Sequence, residues 1–382
     1  MSETKAFTIA RSNFTHEFAE IHGVVLAEIE SALLAGRYVL SKEVERFEKA
    51  FASYIGSEDA IGVNSGTDAL LLALEALGIG PGDEVVTVAN TFHATVLAIV
   101  RTGAQPVLVD ALDSNYLMDV SLVESVLSKR TKAILAVHLC GLPLDLSQLR
   151  EMAQRRGIAL VEDCAQATGA SVGGKKVGSW GDVGCFSFHP SKTLAGAGDA
   201  GAVTTSRKDI AARVRSLRYF GQQERKVHAE LGYNSKLDTI QAIVLYHKLK
   251  LLDSWNDLRR TQARRYIDGL GHLPVVFQAG GFVPNHVYHL FQVQIPNGKR
   301  DALLSHLVAR QIDAVVRYPV PIHQQPAFAH LGYPRGSFPV SERLAVSNVC
   351  LPLRPDMTLQ ETKVVVSAVT EFLQRDIGIL PP

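Results

Sequence analysis

Between about residues 60 and 205 the chain alternates short apolar runs with amphipathic stretches, and that alternation restricts the fold more than any other feature of the sequence. In order come EVVTVAN, then Ala94 to Thr102; QPVLVD, then Leu122 to Lys129; KAILAVH, then Leu146 to Arg156; and finally IALVED. Strands that alternate with helical patterns of this length make a parallel sheet with crossover helices. The runs lack strict polar alternation, as strands buried on both faces do. Each ends at a polar or turn-rich residue, and in open α/β sheets ligands bind outside the carboxyl ends of the strands. Asn90, Asp110, His138 and Asp163 therefore mark where a site is to be sought.

Two helical patterns precede the sheet, about 17–35 and 42–55. The second opens at Ser41 as an N-cap, with Glu43, Glu45 and Glu48 reading as a solvated face. A single helical pattern from Leu237 to about Arg265 follows the sheet. Beyond it come HVYHLFQVQI, a helix from 300 to 311, the Pro-rich YPVPIHQQP and a last helix near 359–375. This predicts a large domain over residues 1–250 and a smaller α+β domain over 251–382. With 47% hydrophobic and 20% charged residues the chain is globular, and its net charge of +1 gives no field that would draw nucleic acid or an anionic membrane. Cys140, Cys164, Cys185 and Cys350 form no C-x-x-C pair, which predicts reduced, mostly buried thiols. No signal-like N-terminus is present, and the most apolar stretch, Ala69 to Gly80, is broken by Glu75, so a soluble cytoplasmic protein is expected.

Three local patterns carry chemistry. In Asp182-Val-Gly-Cys-Phe-Ser-Phe-His-Pro-Ser-Lys192 an apolar strand runs into a lysine flanked by small residues, and glycines then lead into a second strand, GAVTTS. Partial desolvation in such a setting lowers an amine's pKa and makes it a nucleophile for Schiff-base chemistry. Twenty-nine residues earlier, Val161-Glu-Asp163-Cys-Ala-Gln166 sets a carboxylate at the end of a central strand, where an anion can keep a pyridine ring protonated. Upstream, Gly62-Val-Asn-Ser-Gly66-Thr67-Asp68 ends a strand and opens a helix, offering backbone N–H groups to an anion. Alone, these would be a surface lysine, a helix cap and an ordinary N-cap. Together they meet the needs of pyridoxal phosphate: an amine for its aldehyde, a carboxylate for its ring nitrogen and a cradle for its phosphate. Phe92, just past EVVTVAN, is placed to cover the ring face. Gly196-Ala-Gly198-Asp-Ala-Gly201 matches a dinucleotide pattern but leads into a strand, which removes it as a Rossmann fingerprint.

These residues make the chain resemble the nucleotide-sugar aminotransferases, the DegT-type branch of the fold-type I, aspartate-aminotransferase-like pyridoxal phosphate enzymes. Ser-Gly-Thr-Asp-Ala-Leu, Thr-Phe-His-Ala-Thr, Glu-Asp-Cys-Ala-Gln, Phe-Ser-Phe-His-Pro-Ser-Lys, Gly-Tyr-Asn-Ser-Lys-Leu-Asp and Tyr-Pro-Val-Pro-Ile-His carry the likeness, in this order, through nearly the whole chain. The resemblance implies an α/β fold in which a large domain, with a mostly parallel sheet flanked by helices, joins a smaller C-terminal α+β domain. It implies that Lys192 forms the internal aldimine, Asp163 contacts the pyridine nitrogen and Gln166 the ring hydroxyl. Gly66, Thr67 and Ser187 would hold the phosphate and Phe92 would stack on the ring. Asn234 would reach the cofactor phosphate of a neighbouring subunit, which implies a homodimer, and Tyr318 and His323 would lie near a sugar nucleotide.

The retained Lys192 separates the chain from the dehydratase branch, in which histidine stands at that position, and is the expectation for transamination. Asn234-Ser-Lys236-Leu-Asp238 is similar to the pattern of enzymes that act on 3-keto sugars, except that Lys236 stands where Arg is usual and supplies a point charge in place of a bidentate fork. The expected reaction moves an amino group from L-glutamate to a keto carbon, C3, of a dTDP-linked deoxysugar. The alternatives are a 4-keto sugar nucleotide as acceptor, another fold-type I reaction such as decarboxylation, and a cofactor-binding sensor without turnover.

Overall fold

The computed structural model describes residues 7–224 and 226–375. Seven strands form the central sheet: β1 (Asp59–Val63), β2 (Glu84–Val88), β3 (Gln105–Val109), β4 (Thr131–Val137), β5 (Ala159–Asp163), β6 (Val183–Ser187) and β7 (Gly201–Thr205). Their spatial order is β1-β7-β6-β5-β4-β2-β3. β2 to β6 pair in parallel, and β7 alone runs antiparallel to its neighbours β6 and β1. This is the expected α/β architecture with a mostly parallel sheet. Every residue of β2, β6 and β7 is buried, which is why these runs show no polar alternation.

Helices cover the sheet. α3 (Lys42–Ile55) lays Phe47 and Phe51 on Phe186 and Phe188 at ring distances of 4.9–5.6 Å, and α4 (Gly66–Ala76) and α5 (His93–Arg101) bury Leu72, Leu74 and Ile99. The first expected helix divides into α1 (Phe14–Ala19) and α2 (His22–Leu34). The pattern from Leu237 also divides, into Thr239–Leu249 and Leu252–Leu270. No Gly or Pro marks that break. Each half faces a different core: Ala242 and Leu245 pack with Phe47 and Phe51, whereas Ala263, Tyr266 and Leu270 pack with the C-terminal elements. Those elements are a three-stranded antiparallel sheet (Val276–Phe277, Phe291–Gln294, Asn348–Leu351) and the helices Arg300–Ala309 and Leu359–Arg375.

Two readings of α3 are corrected. Ser41 is the N-cap residue, but its hydroxyl bonds Thr239 Oγ1 at 2.8 Å and not the helix backbone. Glu43 and Glu48 are buried and only Glu45 is exposed. Glu48 Oε1 accepts from Arg218 at 2.5 Å and from the Gly62 N–H at 2.8 Å, while Glu43 accepts from Arg37 at 3.0 Å. These carboxylates are inside because buried or half-buried guanidinium and amide donors meet them there. All four cysteines are free and buried. Among the described residues no helix is long and apolar enough to cross a membrane.

Candidate active site

The sheet brings the motif residues together at one edge. Gly201 at the start of β7 pairs with Val63 on one side and with Ser187 on the other, so the segments leaving β1 and β6 flank the same point. A Cβ on Gly66 would lie 2.5 Å from Ser187 Cβ, and one on Gly201 would meet the Ser65 carbonyl. Only glycines let these loops close over the end of β7. Ser65 caps α4 by accepting the Asp68 N–H at 3.1 Å, while the N–H groups of Gly66 and Thr67 precede any i−4 acceptor and point out of the helix end.

A cleft of about 360 Å³ opens over this point, lined in part by Gly66, Thr67, Phe92, Asp163, Gln166, Ser187, Lys192 and Tyr318. Two of the four flagged strand-end residues, His138 and Asp163, also line it. The other two do structural work elsewhere. Asn90 Nδ2 donates to the Tyr116 carbonyl, and Asp110 caps the helix Pro339–Ser347 by accepting from the N–H groups of Val340 and Ser341 at 2.8 and 2.9 Å.

Lys192 follows β6 through the turn His189-Pro-Ser-Lys, closed by its own N–H to the His189 carbonyl at 2.8 Å. Burial brings its amine down to about 8, opposed by the nearby Asp163 carboxylate and assisted by Arg317. Asp163 is buried, and burial raises its pKa against the contacts that favour the charged form. Thr95 Oγ1 donates to Oδ2 at 2.8 Å and the Ala165 N–H to Oδ1 at 3.1 Å. Beside it Glu162 accepts from the N–H groups of Gly178, Trp180 and Gly181 and from His138 Nε2 at 3.2 Å. Cys164 completes a trio of metal-type ligands with these two, but Glu162 is already occupied in holding the 178–181 turn against β5.

Phe92, the N-cap residue of α5, is 46% exposed in the cleft mouth, and its ring lies 5.4 Å from that of Tyr318. Gln166 links the sheet side of the cleft to the C-terminal segment at Tyr318: its Oε1 accepts the Cys140 N–H at 2.7 Å and its Nε2 donates to Tyr318 Oη at 2.8 Å. Asn234 is exposed, bridges to Tyr219, and accepts from Lys236, whose ammonium lies 4.9 Å from the ring centroids of both Tyr219 and Phe220. It does not line the cleft of its own chain. His323 is a correction: it is buried away from the cleft, with its Nε2 2.9 Å from Glu342 Oε1 and its ring edge-on to Phe338. A Pro-rich segment without regular strand pairing must bury some side chains to stay in place, and His323 is one of them.

The residues present fit pyridoxal phosphate. The Gly66–Ser187 approach leaves free N–H groups and hydroxyls at a helix N-terminus, as a phosphate requires. Asp163 is a buried carboxylate whose direct contacts are all neutral, so a protonated ring nitrogen would supply the cation it lacks.

Residues 20–370 match the sequence pattern of the DegT/DnrJ/EryC1/StrS aminotransferase family. The chain belongs to that family. This aminotransferase is 43% identical over 359 residues to a dTDP-3-amino-3,4,6-trideoxy-α-D-glucose transaminase of Streptomyces venezuelae, with 94% of each chain covered. It is 41% identical to the erythromycin biosynthesis sensory transduction protein EryC1 of Saccharopolyspora erythraea, over 92% of this chain and 96% of the relative. The crystal structure of S. venezuelae DesV in complex with a ketimine intermediate superposes with a TM-score of 0.92 at 42% identity, covering 97% of this chain and all of that one.

Several residues of the aminotransferase cleft escaped the sequence reading. Thr95 lies two residues beyond His93, within the first turn of α5, and its hydroxyl reaches Asp163; the motif Thr-Phe-His-Ala-Thr contained it without assigning it a role. His289, Arg259 and Arg317 come from the C-terminal elements and reach the cleft only through tertiary packing. Nothing local distinguishes them from other histidines and arginines.

Proposed function

We propose that this aminotransferase uses pyridoxal phosphate to move an amino group from L-glutamate to the C3 keto carbon of a dTDP-linked keto-deoxysugar, in amino-sugar biosynthesis in the cytoplasm. The observation that carries the reading is the partly buried Lys192, its pKa lowered to about 8, in one cleft with the buried Asp163 and the Gly66–Ser187 cradle. The sugar and its position are supported by the S. venezuelae relative, whose name specifies a 3-amino dTDP sugar, and by the Asn234-Ser-Lys-Leu-Asp238 pattern.

In this reading Lys192 carries the cofactor, Asp163 faces the ring nitrogen, and Gln166 faces the ring hydroxyl. Gly66, Thr67 and Ser187 hold the phosphate, Phe92 covers the ring face, and Tyr318 flanks the sugar. When bound, the cofactor supplies an electron sink and carries the amino group between the two substrates. Lys192 Nζ would take the proton from the donor's α-carbon and deliver it two atoms further on, to the carbon on the other side of the amino nitrogen; an amine with a pKa of about 8 both accepts and releases a proton near neutral pH. Thr95 and the Ala165 N–H hold Asp163 in place and favour its charged form. Tyr318 fixes the Gln166 amide, and so couples the C-terminal wall of the cleft to the sheet edge.

The division at about residue 250, into a cofactor domain and a smaller C-terminal domain, belongs to the same proposal. So does a homodimer in which Asn234 serves the partner's site. The exposed Tyr38, Val39, Tyr219 and Phe220 leave apolar surface beside the 234–238 segment, to which the Val39–Asp238 and Tyr219–Asn234 bridges join them. Such a patch supports a second copy as its cover. Mixed dimers of Lys192→Ala and Asn234→Ala chains test this: each pure variant is impaired, and mixing restores activity only if the site is shared.

Incubating the loaded protein with L-glutamate and with dTDP- or UDP-linked 3-keto and 4-keto sugars, then locating the new C–N bond by NMR, tests the reaction. A 3-amino dTDP product supports the reading. Amination at C4 alone corrects the position, and no amine product with any acceptor favours the sensor reading that the EryC1 name evokes.

A further inference from the structure

The turn that follows β4 lies behind Gln166 and is gripped by the C-terminal elements. In Leu139–Gly141 the backbone of Cys140 takes φ +61° and that of Gly141 φ +97°, the left-handed region that a residue with a Cβ such as Cys140 adopts only at a cost. The Leu290 N–H donates to the Cys140 carbonyl at 3.2 Å and the Val287 N–H to the Gly141 carbonyl at 3.1 Å. Burial pushes the Cys140 thiol up and keeps it protonated, and it donates to Gln292 Oε1 at 3.2 Å. These bonds offset the unfavourable conformation. A Cβ on Gly141 would lie 2.9 Å from the Gln166 carbonyl oxygen, so the turn and the Gln166 backbone are in direct contact.

That turn decides which end of the Gln166 amide faces the cleft. The Tyr318 hydroxyl can give or take a hydrogen bond, so it holds the amide whichever way it is turned. A backbone N–H can only donate, so the Gln166 atom 2.7 Å from the Cys140 nitrogen is the oxygen. Cys140 is buried outside the cleft lining, whereas Gln166 and Tyr318 both line it, and the amide nitrogen is therefore the end toward the cleft. One of its two hydrogens goes to Tyr318 Oη at 2.8 Å, and the second is the donor that Gln166 has for a ligand.

We infer that Cys140 is a positioning residue for the cofactor: its left-handed turn fixes Gln166 with the amide N–H, and not the carbonyl, toward the ring oxygen. The inference deepens the cofactor reading above, in which Gln166 faces the ring hydroxyl, and rests on it. Its consequence is electrostatic. A donor favours the ionised ring oxygen, whereas a flipped amide would favour the protonated hydroxyl. One backbone N–H behind the cleft thus helps set the pH at which the bound cofactor changes its charge and its absorbance.

The test titrates the absorbance of the bound cofactor with pH in the holoenzyme, with no substrate and no turnover. Cys140→Val forces a β-branched residue into the left-handed region and displaces the N–H, Cys140→Gly adopts that region freely and keeps the N–H in place, and Gln166→Glu replaces the N–H with an acceptor. The transition is expected to rise by roughly one pH unit in Cys140→Val and Gln166→Glu and to keep its wild-type value in Cys140→Gly. Cys140→Ala retains the strain and drops the thiol anchor; it is expected to move the same way by less, and it decides the matter if the Val chain does not fold. A turn that is merely structural lowers the melting temperature of Cys140→Val and leaves the transition where it is, which overturns the inference. A Gln166→Glu transition equal to wild type, or a Cys140→Gly shift as large as that of Cys140→Val, overturns it too. If the wild type takes up no cofactor, the cofactor reading falls and the inference with it; if the wild type titrates and the variants do not follow, the inference alone falls.

Discussion

Lys192 carries a stability cost that can be measured without any cofactor. Its amine has a pKa of about 8 in the folded chain against the usual 10.5, mainly because burial disfavours the ammonium. Each tenfold change in proton affinity is worth about 1.4 kcal/mol, so the charged form costs the apoprotein about 3 kcal/mol. The unfolded chain holds the proton more tightly, so the cost is fully present below pH 8 and disappears as the pH rises to 10.5. Replacing Lys192 with Met keeps the length and removes the charge. Asp163 then loses its cationic neighbour and takes back part of the gain, which leaves a net stabilisation of about 1–3 kcal/mol at pH 7. Denaturant unfolding of both apoproteins at matched concentration, from pH 7 to 10.5, reads the difference directly. The Met variant is expected to be the more stable at pH 7, with the gap closing through pH 8 to 10.5. Equal stability at pH 7, or a gap that does not change with pH, refutes the desolvation argument for Lys192.

Other substitutions test neighbouring parts of the account. Gly66→Ala puts a carbon 2.5 Å from Ser187 Cβ, where about 3.5–4.0 Å is normal, so the cradle must widen by about 1 Å; the fold survives at a cost of about 1–3 kcal/mol, and cofactor affinity measured by equilibrium dialysis falls sharply. Thr95→Val removes a charge-assisted hydrogen bond worth about 1.5–3 kcal/mol to Asp163 at nearly constant shape, so single-turnover kinetics are expected to slow and the melting temperature to fall by several degrees. Glu48→Ala leaves Arg218 buried beside an unpaired Gly62 N–H, and its urea midpoint is expected to reflect a loss of about 3–5 kcal/mol.

What was legible in the sequence was what local chemistry determines. The runs EVVTVAN, QPVLVD, KAILAVH and IALVED became β2 to β5 because strands buried on both faces must be continuously apolar, and Asp163 and Lys192 stand out because polar groups at such strand ends are conspicuous. Glu43 and Glu48 were misread because their partners, Arg37 and Arg218, are fixed by the fold; Arg218 is 170 residues from Glu48. His323 was misplaced for the same reason, since its neighbours Glu342 and Phe338 decide that it faces inward. Arg317, His289 and Arg259 meet at the cleft from three separate segments, and no pattern within any one of them announces it.

The central claim is that Lys192 makes this cleft an amine-transferring one, and one measurement tests it most directly. The cofactor-loaded protein is mixed with L-glutamate alone, with no sugar present, and the absorbance change is followed through a single turnover beside Lys192→Ala. The account predicts conversion of the pyridoxal form to the pyridoxamine form with release of 2-oxoglutarate in the wild type, and none at a comparable rate in the variant. A wild type that binds the cofactor yet leaves its spectrum unchanged, or a Lys192→Ala chain that converts as fast, would contradict it.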